Sequence, residues 1–252
     1  MDDNRPSLGK KLGSEITMNT RRILLGSGYF NPNPGVVDTF VEIRNENIDG
    51  KFANPLMRKV VISVGDSYRR DYEWPDVEVI NLSGNCGHVH QLIGKQTPAK
   101  AHAYCGWSAS VMALALLAYC DEADLLYWEQ DCLCFGDVIG ELYRQMGSRK
   151  MVFGSYIEKG RHVMQCEQSL FLIRHDFIPE FVRSYLRYDD DTEIRMLPEN
   201  KFAAMERHSN GLIGRHTIGP GRARPLPYDA PIWSAQKITS AEMQELKKRG
   251  LV

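Results

Sequence analysis

This 252-residue chain lacks any apolar run long enough to cross a bilayer: the longest, Val111 to Ala118, falls far short of the roughly 20 residues a spanning helix needs. It also lacks an excess of either charge. Lysine and arginine number 31 against 32 aspartates and glutamates, a formal charge of -1 that gives no electrostatic footprint for nucleic acid or another polyanion. Cysteine is sparse and unpatterned. The six (Cys86, Cys105, Cys120, Cys132, Cys134 and Cys166) show no C-x-x-C spacing and sit mostly in apolar or helical stretches, which suits buried thiols and excludes a disulfide framework or a zinc ribbon. No cleavable signal pattern opens the chain, so a cytoplasmic location is expected. Internal repeats and low-complexity segments are missing too, and nothing here sets the oligomeric state.

What remains is enough apolar sequence, 43% of residues, to bury one sizeable core. Short apolar runs alternate with longer amphipathic segments, the pattern of an α/β domain with a mainly parallel sheet flanked by helices. Strands are expected at 22–27, 59–64, 77–82, 125–129, 151–154 and 169–174. Helices are expected at 36–44, 104–119, 136–146, 177–186 and 199–208, from apolar residues at three- and four-residue spacing. Thr239 with Glu242 forms a capping box that starts a last helix. Residues 1–20 are polar and aperiodic and are expected to be a disordered tail. Between Gly211 and Ala235 glycine, proline and arginine dominate, and an ordered loop without regular elements is expected there.

The segment Ala123 to Leu133 reads as a buried strand whose end delivers Glu129 and Asp131 in an E-x-D arrangement. At the carboxyl edge of a parallel sheet, ligands are habitually bound. Two carboxylates one residue apart can meet one hard cation and leave its other positions for phosphate oxygens and water. The triplet alone is weak, since acid-x-acid should occur by chance about three or four times in a chain of this length. Asp189, Asp190 and Asp191, in a polar stretch with no strand before them, read as a solvated loop. For Glu129 and Asp131 the plain alternative is a salt-bridged strand end.

The neighbours of that pair resemble the nucleotide-sugar glycosyltransferases of the GT-A fold, whose nucleotide-binding half-sheet ends in a D-x-D-type metal motif. A strand followed by Gly65, Asp66 and Ser67 resembles the strand end where that family contacts the nucleotide. Asn85 and Gly87, the basic Lys100, and a long helix leading into the E-x-D strand follow in the family's order. Ser169 to Arg174 and Phe177 to Val182 resemble its acceptor-side strand and helix, and Glu199 falls where many inverting members place an acid at a helix start. Glutamate replaces the first aspartate of the motif, and Met164 to Gln168 replaces the glycine-rich stretch before the acceptor strand.

The resemblance implies a GT-A-like catalytic domain over residues 21–235 with a C-terminal helix over 236–252. It implies transfer of a sugar from a nucleoside-diphosphate donor to an acceptor hydroxyl, with Mn²⁺ or Mg²⁺ as cofactor on Glu129 and Asp131. Asp66, Ser67, Lys100, Arg215 and Arg222 become candidate donor-binding residues. His216, with His208 behind it, is the candidate third metal ligand, and Glu199 is the candidate base, with Glu167 next. A surface loop of solvated arginines and an ordinary first-turn glutamate are the plain alternatives for these last groups. His88 and His90 have no acidic or cysteine partner at ligand spacing and read as loop residues. Two rivals share the fold. A nucleotidyltransferase would carry a basic glycine-rich loop after the first strand, but Gly26 to Pro34 holds no lysine or arginine. A catalytically dead binding module would have lost a metal ligand, and both carboxylates are present.

Overall fold

The computed structural model of the chain describes residues 22–29, 57–64, 77–82, 106–129, 131–158, 161–187 and 198–252. The expected N-terminal tail, the helix at 36–44, and Asp66, Ser67, Lys100, His88 and His90 lie outside these residues.

Seven strands form the main sheet in the order β3-β2-β1-β4-β7-β6-β8. They are β1 (Ile23–Tyr29), β2 (Met57–Val64), β3 (Val77–Leu82), β4 (Asp124–Trp128), β6 (Met151–Glu158), β7 (Arg161–Ile173) and β8 (Ile213–His216). The pairs β1/β2, β2/β3, β1/β4 and β6/β8 are parallel, whereas β7 runs antiparallel to both β4 and β6. A second, three-stranded sheet joins β5 (Cys132–Phe135), β10 (Trp233–Gln236) and β9 (Pro220–Gly221).

Strand alternation explains how the main sheet buries both faces. Leu24, Leu125, Tyr127, Phe171 and Ile173 point to one side, where helices α1 (Gly106–Cys120), α3 (Ile178–Arg187) and α4 (Pro198–His208) close a core around Leu114, Phe181 and Phe202. The residues between them, Ile23, Leu25, Leu126, Trp128, Leu170 and Leu172, point to the other side, against α2 (Val138–Met146) through Val138, Leu142 and Met146. A third cluster joins the small sheet to α5 (Ser240–Lys248): Leu133, Phe135, Trp233 and Ala235 pack on Met243 and Leu246. The capping box at Thr239 and Glu242 forms as the sequence predicts.

Close packing of α1 on β1 requires the strand's glycines. A Cβ at Gly26 would come within 2.6 Å of the Leu114 side chain, and one at Gly28 within 2.9 Å of Ser110 Oγ. The helix is therefore drawn against β1, the strand that pairs with β4.

Two expectations need correction. Residues 211–235 are not an irregular loop: they hold β8, β9 and the first three residues of β10, and Cys132–Phe135 is a strand of its own. The local composition hides these strands because their partners are remote. Trp233 faces Phe135 and Ile213 faces Met151, pairings that no short window of sequence displays. The expected strand at 169–174 is also the end of a longer one, since β7 begins at Arg161.

Candidate active site

β4 leaves the main sheet at Trp128, and the chain turns immediately into β5 of the small sheet. Glu129 N–H donates to Ser169 O at 2.6 Å, and Cys132 N–H returns to Glu129 O at 3.0 Å. This turn is what sets Glu129 and Asp131 side by side at the carboxyl end of a strand parallel to β1, in the seam between the two sheets. Both residues are half-buried there.

Both carboxylates meet one group. The side-chain amide of Gln236, the last residue of β10, donates from Nε2 to Glu129 Oε2 and, at 3.4 Å, to Asp131 Oδ1. The other end of that amide, Oε1, accepts from Arg222 Nε at 2.9 Å. Arg222 Nε also stands 3.8 Å from Glu167 Oε2, on β7. Glu167 is buried and accepts from Ser169 Oγ at 2.9 Å. Three carboxylates, one amide and one guanidinium thus form one contact network at the sheet edge.

Such crowding in a poorly solvated place disfavours the ionised acids. Glu129 is pushed well above the usual carboxylate range, first by burial and then by the charges of Asp131 and Glu167, with Arg222 pulling the other way. Asp131 is raised by burial, against the attraction of Arg222 and Lys237. Burial likewise raises Glu167, which Arg222 and Ser169 partly offset. Arg222 and Lys237 offset this acidic charge only in part, and a cation between Glu129 and Asp131 would offset it further.

Glu199 stands at the start of α4, beside this group. Gln168 Nε2 donates to its Oε1 at 3.1 Å, Cys166 Sγ donates to its main-chain oxygen at 2.7 Å, and its charge reaches Glu129 less strongly than that of Glu167 does. Gln168 Oε1 is buried without a hydrogen-bond partner, one of two such side-chain atoms among the described residues, the other being Trp107 Nε1.

The remaining sequence candidates go elsewhere. His216 sits at the carboxyl end of β8, yet its ring is buried. Nε2 donates to Leu170 O at 2.9 Å and Nδ1 accepts from Ile218 N–H at 3.3 Å. Both nitrogens are committed to the main chain, so the expected metal ligand is here a core histidine, held neutral by burial with its pKa pulled down to about 4. Arg215 pairs with Glu206, its guanidinium donating to Oε2 at 2.8 and 2.9 Å, and lies over the Phe153 ring. His208 bonds back to Ala204 O within α4. Among the described residues, no three acidic, histidine or cysteine side chains converge as a complete metal cage.

Sequence reasoning missed Gln236, which is 1% exposed and touches both carboxylates. Its approach follows from the antiparallel pairing of β10 with β5, in which Gln236 lies opposite Cys132, next to Asp131. The alternation of Trp233 and Ala235 with polar neighbours was the one local hint of a strand there.

No protein-family model matches the chain, and no curated protein sequence does so either. Solved structures do. An active-site mutant of LgtC superposes with a TM-score of 0.52 at 8% identity, covering 91% of this chain and 95% of that one. The galactosyltransferase LgtC in complex with donor and acceptor sugar analogs gives a TM-score of 0.50 at 11% identity, covering 87% of each chain. No helix among the described residues is long and apolar enough to cross a membrane. The mixed, mainly parallel sheet with helices on both faces, closed by a small second sheet at the carboxyl end of β4, is the GT-A fold.

Proposed function

We propose that this protein is a glycosyltransferase that moves a sugar from a nucleoside-diphosphate donor to an acceptor hydroxyl, with Mn²⁺ or Mg²⁺ at Glu129 and Asp131. The observation that carries the reading is the convergence of these two carboxylates on a single point at the lip of the sheet. Their oxygens fit a hard divalent ion, and the acidic charge that Arg222 and Lys237 offset only in part favours one. When bound, such an ion neutralises charge that builds on the leaving diphosphate.

The chain's own residues supply the rest. Arg222, which pairs with a carboxylate and an amide and is partly exposed, would meet a diphosphate oxygen beside the pair. Gln168 Oε1, buried and unsatisfied beside Glu199, would be completed by a sugar hydroxyl. Glu167 within the group and Glu199 beside it are the two carboxylates that would take a proton from the acceptor. Glu167 is the more strongly coupled to the pair, and burial raises its affinity for a proton, the direction a general base needs. Asp66, Ser67 and Lys100 remain candidates for the nucleotide on the strength of the sequence.

Calorimetric titration with nucleoside diphosphates, with Mn²⁺ and then with chelator, tests the reading. Binding should require the metal, and Asp131→Ala should abolish it while leaving the fold intact. Wild-type affinity in that variant, or affinity indifferent to chelator, overturns the metal assignment. Glu199→Gln and Glu167→Gln separate the two bases, since only the true one lowers turnover of a hydrolysed or transferred sugar with donor affinity retained.

A further inference from the structure

We propose that Gln236 is a reversible third protein ligand: its amide, which now donates to Glu129 and Asp131, turns end for end so that Oε1 faces a divalent cation on the pair. The inference rests on the metal-dependent reading given above.

The argument begins with position. One nitrogen, Gln236 Nε2, touches oxygens of both carboxylates, so it marks the place where a cation shared by the two would be nearest to a third side chain. A side-chain amide has two ends of nearly equal size and opposite function, an NH₂ donor and a carbonyl acceptor. Without a cation the carboxylates need a donor, and the NH₂ end serves. With a cation they need none, and the NH₂ end would be repelled while the carbonyl end is a suitable hard oxygen ligand.

Exchange of the two ends costs little movement. It is a half-turn about the last side-chain torsion, which is broad for glutamine. The backbone need not shift: Gln236 is 1% exposed and held in the β10/β5 ladder opposite Cys132, so the amide stays beside the pair in either sense. What changes is the contact at its far end. Arg222 Nε now donates to Oε1 at 2.9 Å, and after the turn it would face the NH₂ group, donor against donor. Arg222 has a second acceptor in Glu167 Oε2, 3.8 Å away, and its side chain is 37% exposed, so it can swing aside without leaving a buried charge unpaired. The same contact explains why the amide lies in its present sense: Arg222 and the two carboxylates agree on which end faces which.

A mere plug would behave in the opposite way. A glutamine that only blocked the pair would compete with the cation, and its removal would tighten binding; a glutamine that becomes a ligand weakens binding when removed.

The test is Mn²⁺ affinity itself, read from the free-ion electron paramagnetic resonance signal, with no substrate present. Wild type, Gln236→Leu and Gln236→Glu are titrated in parallel after their folds are matched by circular dichroism. Gln236→Leu should bind at least about tenfold more weakly. Gln236→Glu, with an oxygen at either end, should bind as tightly as wild type or more so. Equal or tighter binding by Gln236→Leu overturns the inference and leaves the carboxylate pair as the site. Wild type that binds no Mn²⁺, with Asp131→Asn indistinguishable from it, overturns the metal-dependent reading and the inference together. If Gln236→Leu does not fold, Gln236→Asn, whose amide falls one methylene short of the pair, replaces it under the same criteria.

Discussion

His216 offers a quantitative check on the packing of the main sheet. The ring is buried on β8, gives its Nε2 proton to Leu170 O and accepts at Nδ1 from Ile218 N–H. It therefore stays neutral in the folded state, with its pKa lowered by burial from 6.5 to about 4. In the unfolded chain the same histidine takes up a proton below about pH 6.5. Acidification thus favours unfolding: the stability contributed by the neutral ring is complete above pH 6.5 and lost progressively as pH falls toward 4, below which both states are protonated and the loss levels off. With each pKa unit worth about 1.4 kcal/mol, the full loss is about 3 kcal/mol, and most of it is spent between pH 6 and pH 4.5. Urea unfolding of wild type and of His216→Gln, whose amide can keep the bond to Leu170 O, measures it. Carboxylates titrating in the same range affect both proteins alike and cancel in the difference. Wild type should lose about 2 kcal/mol more than the variant between pH 7 and pH 4.5. Parallel pH profiles would refute the burial of a neutral ring, and a ring that binds the metal instead would make the profile of wild type depend on Mn²⁺.

Other consequences follow from particular contacts. Gly136 has φ of 71°, and a Cβ there would come within 2.0 Å of Pro231 O, so Gly136→Ala should lower unfolding free energy by about 3 kcal/mol or more in denaturant titrations. Phe202 is fully buried among the rings of Trp107, Phe153, Phe171, Phe181 and Tyr185, and Phe202→Ala should cost about 3–5 kcal/mol by the same measurement. Thr239→Ala removes the side-chain half of the capping box on α5 and should cost about 1 kcal/mol, with hydrogen exchange faster in that helix and unchanged in β4.

The two acidic residues of the candidate site were legible because they follow a strand that announces itself. Leu125 to Trp128 is a continuous buried run, and the residue after such a strand must lie at the sheet's edge. Glu199 was legible at a helix start for a similar reason, the proline at the first helical position. Arg222 was legible only as one of several arginines in a glycine-rich stretch, and nothing local separated it from Arg215, which turns to Glu206 instead. His216 looked like a ligand in sequence because a histidine among glycines and arginines carries no sign of burial. Its placement in the core is decided by the pairing of β8 with β6 and the reach to Leu170, 46 residues away in the chain.

The sequence by itself determined the α/β alternation, most of the main-sheet strands, the helix ahead of β4 and the acidic pair at its end, because periodicity and capping act over a few residues. Only the tertiary structure decided which side chains surround that pair. Strands β5, β9 and β10 take their identity from one another, and the group of Glu129, Asp131, Glu167, Arg222 and Gln236 is assembled from two sheets and from residues up to 107 positions apart. The physical reason is that a hydrogen bond or charge pair is fixed by distance in space, and a sequence window carries no record of distance across the fold.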